Sequence, residues 1–350
     1  MVMGKVGMYG GKFLIIHQGH VSAMIRASTM VEELHVVLTH DEEYEREFYF
    51  HGTTMKPIPF HQRLRWWNEL TKDLPHVKVH AIAEKQTGEF YDWEKGSIAI
   101  KAAIEKEIDT VFSSEHAYGE HFEKLYPGAT HVVLDAERRT YPISATQIRE
   151  EGAMKHWAII PHVVQPYFVR KVVVVGTESA GKSTLVKNLA NLYNTSYVEE
   201  YGRTFYENIG AEIAIESDFP KIAFEHKYHE EEQAKRANKL LFIDTEANVT
   251  QYFSWAYLGF EQTLLTQIAA LQRYDLWLFL EPDVKWVDDG TRSFGEQKIR
   301  ERNNDYLKAI LDRQNIPYHS ISGNYNERLE QAIELVDEVL EEKLFSNTSE

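Results

Sequence analysis

Cysteine is absent from this chain of 350 residues. Disulfide bonds, zinc sites built on thiolates and thiol nucleophiles are therefore excluded, and we expect a reducing location such as the cytoplasm. Apolar runs long enough to cross a membrane are also missing, and the first residues lack the apolar core of a signal peptide. We therefore expect no membrane contact and no secretion signal.

Positive charge is scarce as well. The chain has 38 Lys and Arg residues against 54 Asp and Glu residues, and its formal net charge is −16. Such a chain has no general basic surface for nucleic acid, so any phosphate that it binds must be held by local groups. The length suits two domains, and two prolines near the middle separate them. We place the first domain at residues 1–168 and the second at residues 169–350.

The strongest motif lies at the start of the second domain. Residues 171–183 read KVVVVGTESAGKS, where a β-branched run leads into a full match to G-x-x-x-x-G-K-[ST]. A buried strand, a glycine loop and a helix, in that order, are the context that a phosphate-binding loop requires. Lys182 would reach the β- and γ-phosphates of ATP, and Ser183 would bind Mg²⁺. The residues expected to bind ATP here are Gly176, Thr177, Glu178, Ser179, Ala180, Gly181, Ser183 and Thr184.

Acidic residues follow two other predicted strands of this domain. Glu199 and Glu200 come after a short strand, where a carboxylate can act as the general base for an acceptor hydroxyl. If that strand continues, the two side chains face opposite sides, and Tyr201 shares the side of Glu199. Asp244 ends an apolar strand and is expected to bind Mg²⁺ or to serve as the base itself. The sequence leaves open which of the three is the base.

A polar loop at residues 286–292 is similar to the closing lid of small P-loop kinases. Its Arg292 would neutralise charge on the transferred phosphoryl group. Substrate contacts in the second domain are expected from Tyr201, Trp286, Asp288 and Asp289.

The first domain alternates strands with helices, which predicts a parallel sheet covered on both faces. Ligands of such sheets bind beyond the carboxyl ends of the strands. His17-Gln18-Gly19-His20 stands at that position after the first strand and begins a helix. Two imidazoles beside free backbone N–H groups suit a polyphosphate, to which they would donate hydrogen bonds. A metal site without a recognisable third ligand and a packed histidine pair are the alternatives.

A second helix start near the end of the first domain carries the sequence ISATQIR. Ser144 is a natural N-cap there, while Thr146 and Arg149 add a hydroxyl and a guanidinium to a second anion site. The motifs G-x-F-x-x-x-H-x-G-H and I-S-x-T-x-I-R, both present in this order, resemble those of the nucleotidylyltransferase superfamily. The resemblance implies that ATP binds to Gly11, Lys12, Phe13, Gly19, Ser144 and Thr146, and that His17, His20 and Arg149 are catalytic.

The sequence leaves two possible roles for Trp93 in the first domain. Its indole could stack on the flat heterocycle of a substrate, or it could pack against the protein.

A nucleotidylyltransferase domain followed by a small P-loop kinase domain is a rare order. With EEYGR after the second kinase strand and WVDDGTR in the lid, the chain resembles the bacterial bifunctional nicotinamide-nucleotide adenylyltransferase/ribosylnicotinamide kinase family. The resemblance implies an α/β protein with two parallel sheets, a Rossmann-like domain and a P-loop domain. Some members carry an N-terminal helix-turn-helix. We expect none here, because the first strand begins near Val6.

The same resemblance implies the ligands and the reactions. The kinase domain would phosphorylate nicotinamide riboside to its mononucleotide, NMN, and the first domain would join NMN to AMP from ATP, giving NAD and pyrophosphate. ATP and Mg²⁺ are the expected cofactors, neither nucleic acid nor a membrane is an expected partner, and a homo-oligomer stays open. Two other functions are open: a pantetheine-phosphate adenylyltransferase joined to a dephospho-coenzyme A kinase, and a non-catalytic regulator that senses ATP.

Overall fold

The computed structural model describes residues 4–85, 92–210, 213–283 and 297–341. The chain divides into two compact units, one ending at Gln165 and one spanning Pro166–Glu341. Each unit is built on one five-stranded sheet in which all neighbouring strands are parallel. Within the described ranges, no helix has both the length and the hydrophobicity that a membrane span needs.

The first unit alternates strands and helices as the sequence predicts. Its strands are β1 Gly4–Gly11, β2 Val31–His40, β3 Val77–Ala83, β4 Thr110–Ser113 and β5 Thr130–Val133. Its helices are α1 Gln18–Ser28, α2 Glu42–Tyr44, α3 Phe60–Thr71, α4 Trp93–Ile104, α5 Gly119–Leu125 and α6 Ala145–Glu151, and α7 Gln165–Phe168 follows at the junction. A π-helix, Glu45–Phe50, continues α2. The sheet order is β3-β2-β1-β4-β5, so the direction of winding reverses between β1 and β4. A ligand is expected at this reversal.

The second unit places its phosphate-loop strand in the middle of the sheet. Its strands are β6 Arg170–Val175, β7 Tyr197–Val198, β8 Leu240–Asp244, β9 Leu276–Leu280 and β10 His319–Ile321, in the order β10-β9-β6-β8-β7. Its helices are α8 Lys182–Leu192, α9 Tyr201–Ile209, α10 Asp218–Ala234, α11 Ala247–Leu258, α12 Thr263–Leu271, α13 Gln297–Arg313 and α14 Tyr325–Leu340. The four valines at the end of β6 are fully buried, as their continuous β-branched run predicts.

Candidate active sites

The first site begins where β1 gives way to α1. His17 is the buried N-cap of α1, and its Nδ1 accepts a hydrogen bond of 3.1 Å from the backbone N–H of Gly19. Nδ1 of His20 accepts in turn from the backbone N–H of His17 at 3.5 Å, which completes a capping box. Only glycine fits between them, because a Cβ at Gly19 would lie 2.8 Å from Cε1 of His17.

These bonds determine the chemical form of the two imidazoles. A ring nitrogen that accepts a hydrogen bond carries no proton, so each neutral ring has its proton on Nε2. Burial lowers the pKa of His17 to about 4, and the charge of Arg138 acts in the same direction. Burial also lowers the pKa of His20 well below its usual value, although a hydrogen bond to the Ile15 backbone opposes this shift. Both rings are therefore neutral N–H donors near neutral pH.

A cavity of about 240 Å³ joins the histidines to the second predicted motif. Ser144 caps α6 by accepting a hydrogen bond of 3.0 Å from the backbone N–H of Gln147. Ser144 and Thr146 line the same cavity as His17 and His20. Two motifs from opposite ends of the first unit thus meet at one cavity, and the binding of an anion there stays a prediction.

Two arginines in this cavity are not revealed by the motifs. Arg26, in the last turn of α1, and Arg138, in the loop after β5, both belong to its lining. Arg138 pairs with Glu115 at 3.1 Å, and its charge reaches both histidines. The available signal was a basic residue shortly after a strand end, which is where this type of sheet binds its ligands. Both arginines add positive charge to a lining that also contains the carboxylates of Glu115 and Asp135.

Arg149 lies behind this cavity and is not among the residues that line it. Its buried guanidinium donates from Nε to the carbonyl oxygen of Tyr49 at 3.0 Å and from Nη2 to the hydroxyl of Thr146 at 3.2 Å. Tyr49 belongs to the π-helix, and the ring of its neighbour Phe50 lies 5.8 Å from the guanidinium carbon. The observed position suits a role in holding Thr146, and direct contact between Arg149 and phosphate stays a prediction.

Of the residues predicted to bind ATP at the end of β1, Phe13 contacts the histidine pair. Gly11 ends the strand, and Phe13 turns the chain with a φ of 45°. The ring of Phe13 packs edge-on against His20, with 5.2 Å between ring centroids. The carbonyl oxygen of Lys12 accepts a hydrogen bond from the buried Arg63, and burial lowers the pKa of the Lys12 ammonium. Their contact with ATP stays a prediction.

Trp93 packs within the protein. Its indole stacks on His121 with 4.5 Å between ring centroids and 7° between ring planes. It does not belong to the lining of the histidine cavity. The geometry therefore favours the packing alternative, and stacking on a substrate stays a prediction.

The histidine pair has no further metal ligand within the described part of the chain. Among those residues, no group of three or more His, Asp or Glu side chains is arranged to hold a metal ion.

The second site is the loop between β6 and α8. Gly176 has a φ of 148°, and a Cβ there would lie 2.8 Å from the carbonyl oxygen of Leu280. Gly181 has a φ of 92° and is the N-cap of α8. Both positions therefore need glycine. The buried Lys182 donates from Nζ to the carbonyl oxygen of Thr177 at 3.1 Å, so its ammonium lies across the loop.

Two hydroxyl groups of this loop are buried without a hydrogen-bond partner among the described residues. They are Oγ1 of Thr177 and Oγ of Ser179, and Ser179 has a left-handed φ of 61°. Leaving a buried polar group unpaired is unfavourable by about 1–3 kcal/mol. Phosphate oxygens would satisfy both hydroxyls, so the loop has the chemistry of a polyphosphate site.

A buried arginine that the motifs do not reveal braces this loop from α14. Nη1 of Arg328 donates to the carbonyl oxygen of Ala180 at 2.7 Å, within the loop itself. Its Nε and Nη2 donate to the carbonyl oxygens of Gly323 and Glu281, both at 2.8 Å. One side chain thereby ties the phosphate loop to the ends of β9 and β10, which keeps the loop in its binding conformation.

A cavity of about 540 Å³ lies beside the loop, and only one of the two candidate glutamates lines it. Glu200 lines it together with Lys182 and Ser183. Glu199 is not among the lining residues, and its carboxylate instead pairs with Lys187 at 2.8 Å, where 49% of the lysine and 60% of the glutamate side chain are exposed. The structure therefore places Glu200, and not Glu199, in the cavity beside the loop, and its role as the base stays a prediction.

The position of Tyr201 differs from the expectation for a continuing strand. β7 ends at Val198 and α9 begins at Tyr201, so the alternation of an extended chain stops before this residue. Tyr201 lines the cavity with Glu200, and the idea that it shares a side with Glu199 is wrong.

Asp244 lies at the end of β8, buried beside the loop. Burial raises the pKa of its carboxyl to about 6, and the nearby Glu200 carboxylate acts in the same direction. Lys182 and a hydrogen bond with Ser183 oppose this shift. The Ser183 hydroxyl and the Asp244 carboxylate are thus in contact, and both offer the oxygen ligands that Mg²⁺ prefers, so the pair fits this ion. The predicted lid residues Trp286, Asp288, Asp289 and Arg292 lie outside the described residues.

The geometry defines a class of protein: a nucleotidylyltransferase-like unit followed by a P-loop unit. Comparisons with protein families agree, since residues 8–151 match the cytidylyltransferase-like family and residues 171–328 match the AAA domain family. The trifunctional NAD biosynthesis/regulator protein NadR of Salmonella typhimurium is 35% identical over 348 residues, which are 97% of this chain and 84% of that protein. NadR of Escherichia coli is also 35% identical, over 350 residues with the same coverage. The chain belongs to the NadR family.

Solved structures show the same fold. A crystal structure of NadR in complex with NR superposes with a TM-score of 0.78 at 24% identity, covering 99% of this chain and 98% of the other. A second NadR structure, in complex with NAD and AMP-PNP, has a TM-score of 0.76 at 23% identity and covers both chains completely. The family and the fold class expected from the sequence are confirmed.

Proposed function

We propose that the second unit phosphorylates nicotinamide riboside with ATP and that the first unit joins the resulting NMN to AMP from another ATP. The products are NAD and pyrophosphate, which makes the chain a bifunctional enzyme of NAD salvage. The observation that carries this proposal is the presence of two cavities, one in each unit and each lined by a predicted phosphate-binding motif, in a chain of the NadR family. The ligands of the related NadR structures support it.

In the first unit the phosphate of NMN attacks the α-phosphorus of ATP, and pyrophosphate leaves. No covalent enzyme intermediate is needed, because the work is positioning and charge neutralisation. The Nε2–H group of His17 donates to the phosphates, and Arg26 and Arg138 supply positive charge in the same cavity. His20 lies beside His17, with its own proton directed to the Ile15 backbone until a phosphate competes for it. The N-cap position of His17 orients its ring toward the ligand without spending the Nε2 donor on the protein.

In the second unit the acceptor hydroxyl attacks the γ-phosphoryl group of ATP. Lys182 neutralises charge on the phosphates, and Glu200 is placed to receive the hydroxyl proton. Ser183 and Asp244 would hold Mg²⁺, which would neutralise charge on the β- and γ-phosphates.

Incubation with ATP, Mg²⁺ and either nicotinamide riboside or NMN tests the proposal directly. NMN should appear from the riboside, and NAD should appear from NMN. Formation of coenzyme A intermediates from pantetheine substrates would support the rival enzyme pair, which membership of the NadR family does not favour. Absence of turnover with any substrate would support the ATP-sensing regulator. The proposed location is the cytoplasm, in keeping with a chain that has no cysteine.

His17→Asn should lower the rate of NAD formation from NMN by on the order of 10²-fold, because one phosphate donor is lost. Asparagine is a good N-cap, and its side-chain oxygen can replace Nδ1 of His17 as the acceptor for Gly19. The melting temperature should therefore change little, and phosphorylation of the riboside should continue. A large fall in melting temperature, or full NAD formation, would show that His17 serves only the helix.

The two imidazoles should stay neutral well into the acid range. Burial holds the pKa of His17 near 4, so its NMR signals should show no titration between pH 8 and pH 5.5. Since the unfolded chain binds this proton near pH 6.5, the neutral ring contributes stability that is lost as the pH falls toward 4. A titration of His17 with a midpoint near 6.5 would contradict the buried donor arrangement.

A further inference from the structure

One buried side chain in the wall of the kinase cavity has a hydrogen-bonding atom without a partner. His226 lies on α10, is 3% exposed and lines the cavity together with Glu200. Its Nε2 lies 3.0 Å from the backbone carbonyl oxygen of Asp244. Its Nδ1 is shielded from solvent and has no hydrogen-bond partner in the described part of the chain.

The bond to Asp244 determines which nitrogen of the ring carries the proton. A carbonyl oxygen can only accept, so the proton of the neutral imidazole is on Nε2 and Nδ1 has a free lone pair. Buried acceptors are almost always paired in folded proteins, and an unpaired one is unfavourable. The His226 ring is therefore a fixed acceptor in a cavity wall, and a donor on a bound molecule would complete it.

The surrounding groups decide the kind of donor. Glu200 is close enough for its charge to act on the His226 ring, and a carboxylate is also an acceptor. Two neighbouring acceptors repel the oxygens of a phosphate, which carry no proton to donate, but they suit the hydroxyl groups of a sugar. The phosphate loop, with its amide and ammonium donors, forms another part of the same cavity. The cavity thus places two acceptors, the Glu200 carboxylate and Nδ1 of His226, in a lining that also contains Arg203 and the buried hydroxyl of Tyr206. Such a mixture of acceptors and donors suits the hydroxyl groups of a sugar.

We propose that Nδ1 of His226 accepts a hydrogen bond from one of the two ribose hydroxyls that are not phosphorylated. With Glu200, it gives the cavity two acceptors for the hydroxyl groups of a nucleoside. This inference rests on the proposed kinase function. His226 binds the substrate, and it neither takes a proton nor contacts the transferred phosphoryl group.

The test compares His226→Phe, which keeps a ring in place, with His226→Gln, which can still donate to the Asp244 carbonyl and offer an oxygen acceptor. Phosphorylation of nicotinamide riboside and of its 2′-deoxy and 3′-deoxy analogues is measured for each full-length protein. For the wild type, the analogue that lacks the bound hydroxyl should have a KM about tenfold higher than the riboside. In His226→Phe this difference should vanish, with the KM for ATP unchanged, and His226→Gln should restore part of it.

Each other outcome has a definite meaning. If His226→Phe keeps the discrimination against both analogues, Nδ1 binds no ribose hydroxyl and the inference is wrong. A loss of kcat with unchanged KM would place His226 at the attacking hydroxyl instead. Lost discrimination for the carboxamide would place it at the nicotinamide ring. Either result overturns the proposal. If His226→Phe does not fold, His226→Leu carries the same test. A wild type that phosphorylates no nucleoside contradicts the proposed kinase function itself, which separates the two failures.

Discussion

Lys182→Ala should abolish the phosphorylation of nicotinamide riboside, with a loss on the order of 10³-fold or more. The Lys182 ammonium is buried beside the phosphate loop, held by the carbonyl oxygen of Thr177 and open to the kinase cavity. Removing it takes one neutralising charge away from the γ-phosphoryl group in the transition state. NAD formation from supplied NMN should persist, because its site lies in the other unit. Separate assays with the riboside and with NMN measure the two rates.

Lys187→Ala is the matched control for this substitution. Lys187 lies on the same helix, α8, but its ammonium is exposed and pairs with Glu199 away from the cavity. Removal of an exposed ion pair changes stability by less than about 1 kcal/mol, and the kinase rate should stay within about twofold. If Lys182→Ala also stopped NAD formation while the protein stayed folded, the assignment of separate sites would be wrong.

The elements that the sequence predicts best are those specified by local pattern. The valine run of β6 is β-branched and leads directly into a glycine loop, which together favour a central parallel strand, and its side chains are fully buried. The glycines of the loop and the H-x-G-H turn are required by backbone geometry and close contact, which involve residues near each other in the chain. Local chemistry is enough to predict these turns, and so both candidate sites could be proposed before the fold was known.

The features that the sequence does not predict depend on distant contacts. The choice between Glu199 and Glu200 rests on where β7 stops, and that strand is only two residues long at the edge of its sheet. Arg149 is turned from the cavity by a π-helix, which has no sequence signature of its own. His226 appears on a helix pattern as an ordinary buried residue, and its free acceptor is visible only once β8 is packed beside it.

Glu200→Gln should lower riboside phosphorylation by on the order of 10²–10⁴-fold, the usual range for a general acid–base group. The substitution keeps the shape of the side chain and removes its ability to take the hydroxyl proton. Glu200 lines the same cavity as Lys182 and Ser183, the residues expected to bind the nucleotide. Glu199→Gln is the control of the same chemistry one residue away, and it breaks only the exposed pair with Lys187, so the rate should change by less than about twofold.

The response to the Mg²⁺ concentration distinguishes a general base at Glu200 from a ligand of the metal ion. After burial, the Glu200 carboxylate is the next largest cause of the raised pKa of Asp244, so Glu200→Gln should make Asp244 easier to ionise and should not weaken its hold on Mg²⁺. Raising the Mg²⁺ concentration should therefore leave the Glu200→Gln rate low. The same change should partly restore Asp244→Asn, whose defect lies in the metal site. Similar losses for both glutamate variants, or restoration of Glu200→Gln by Mg²⁺, would show that the acceptor proton goes elsewhere.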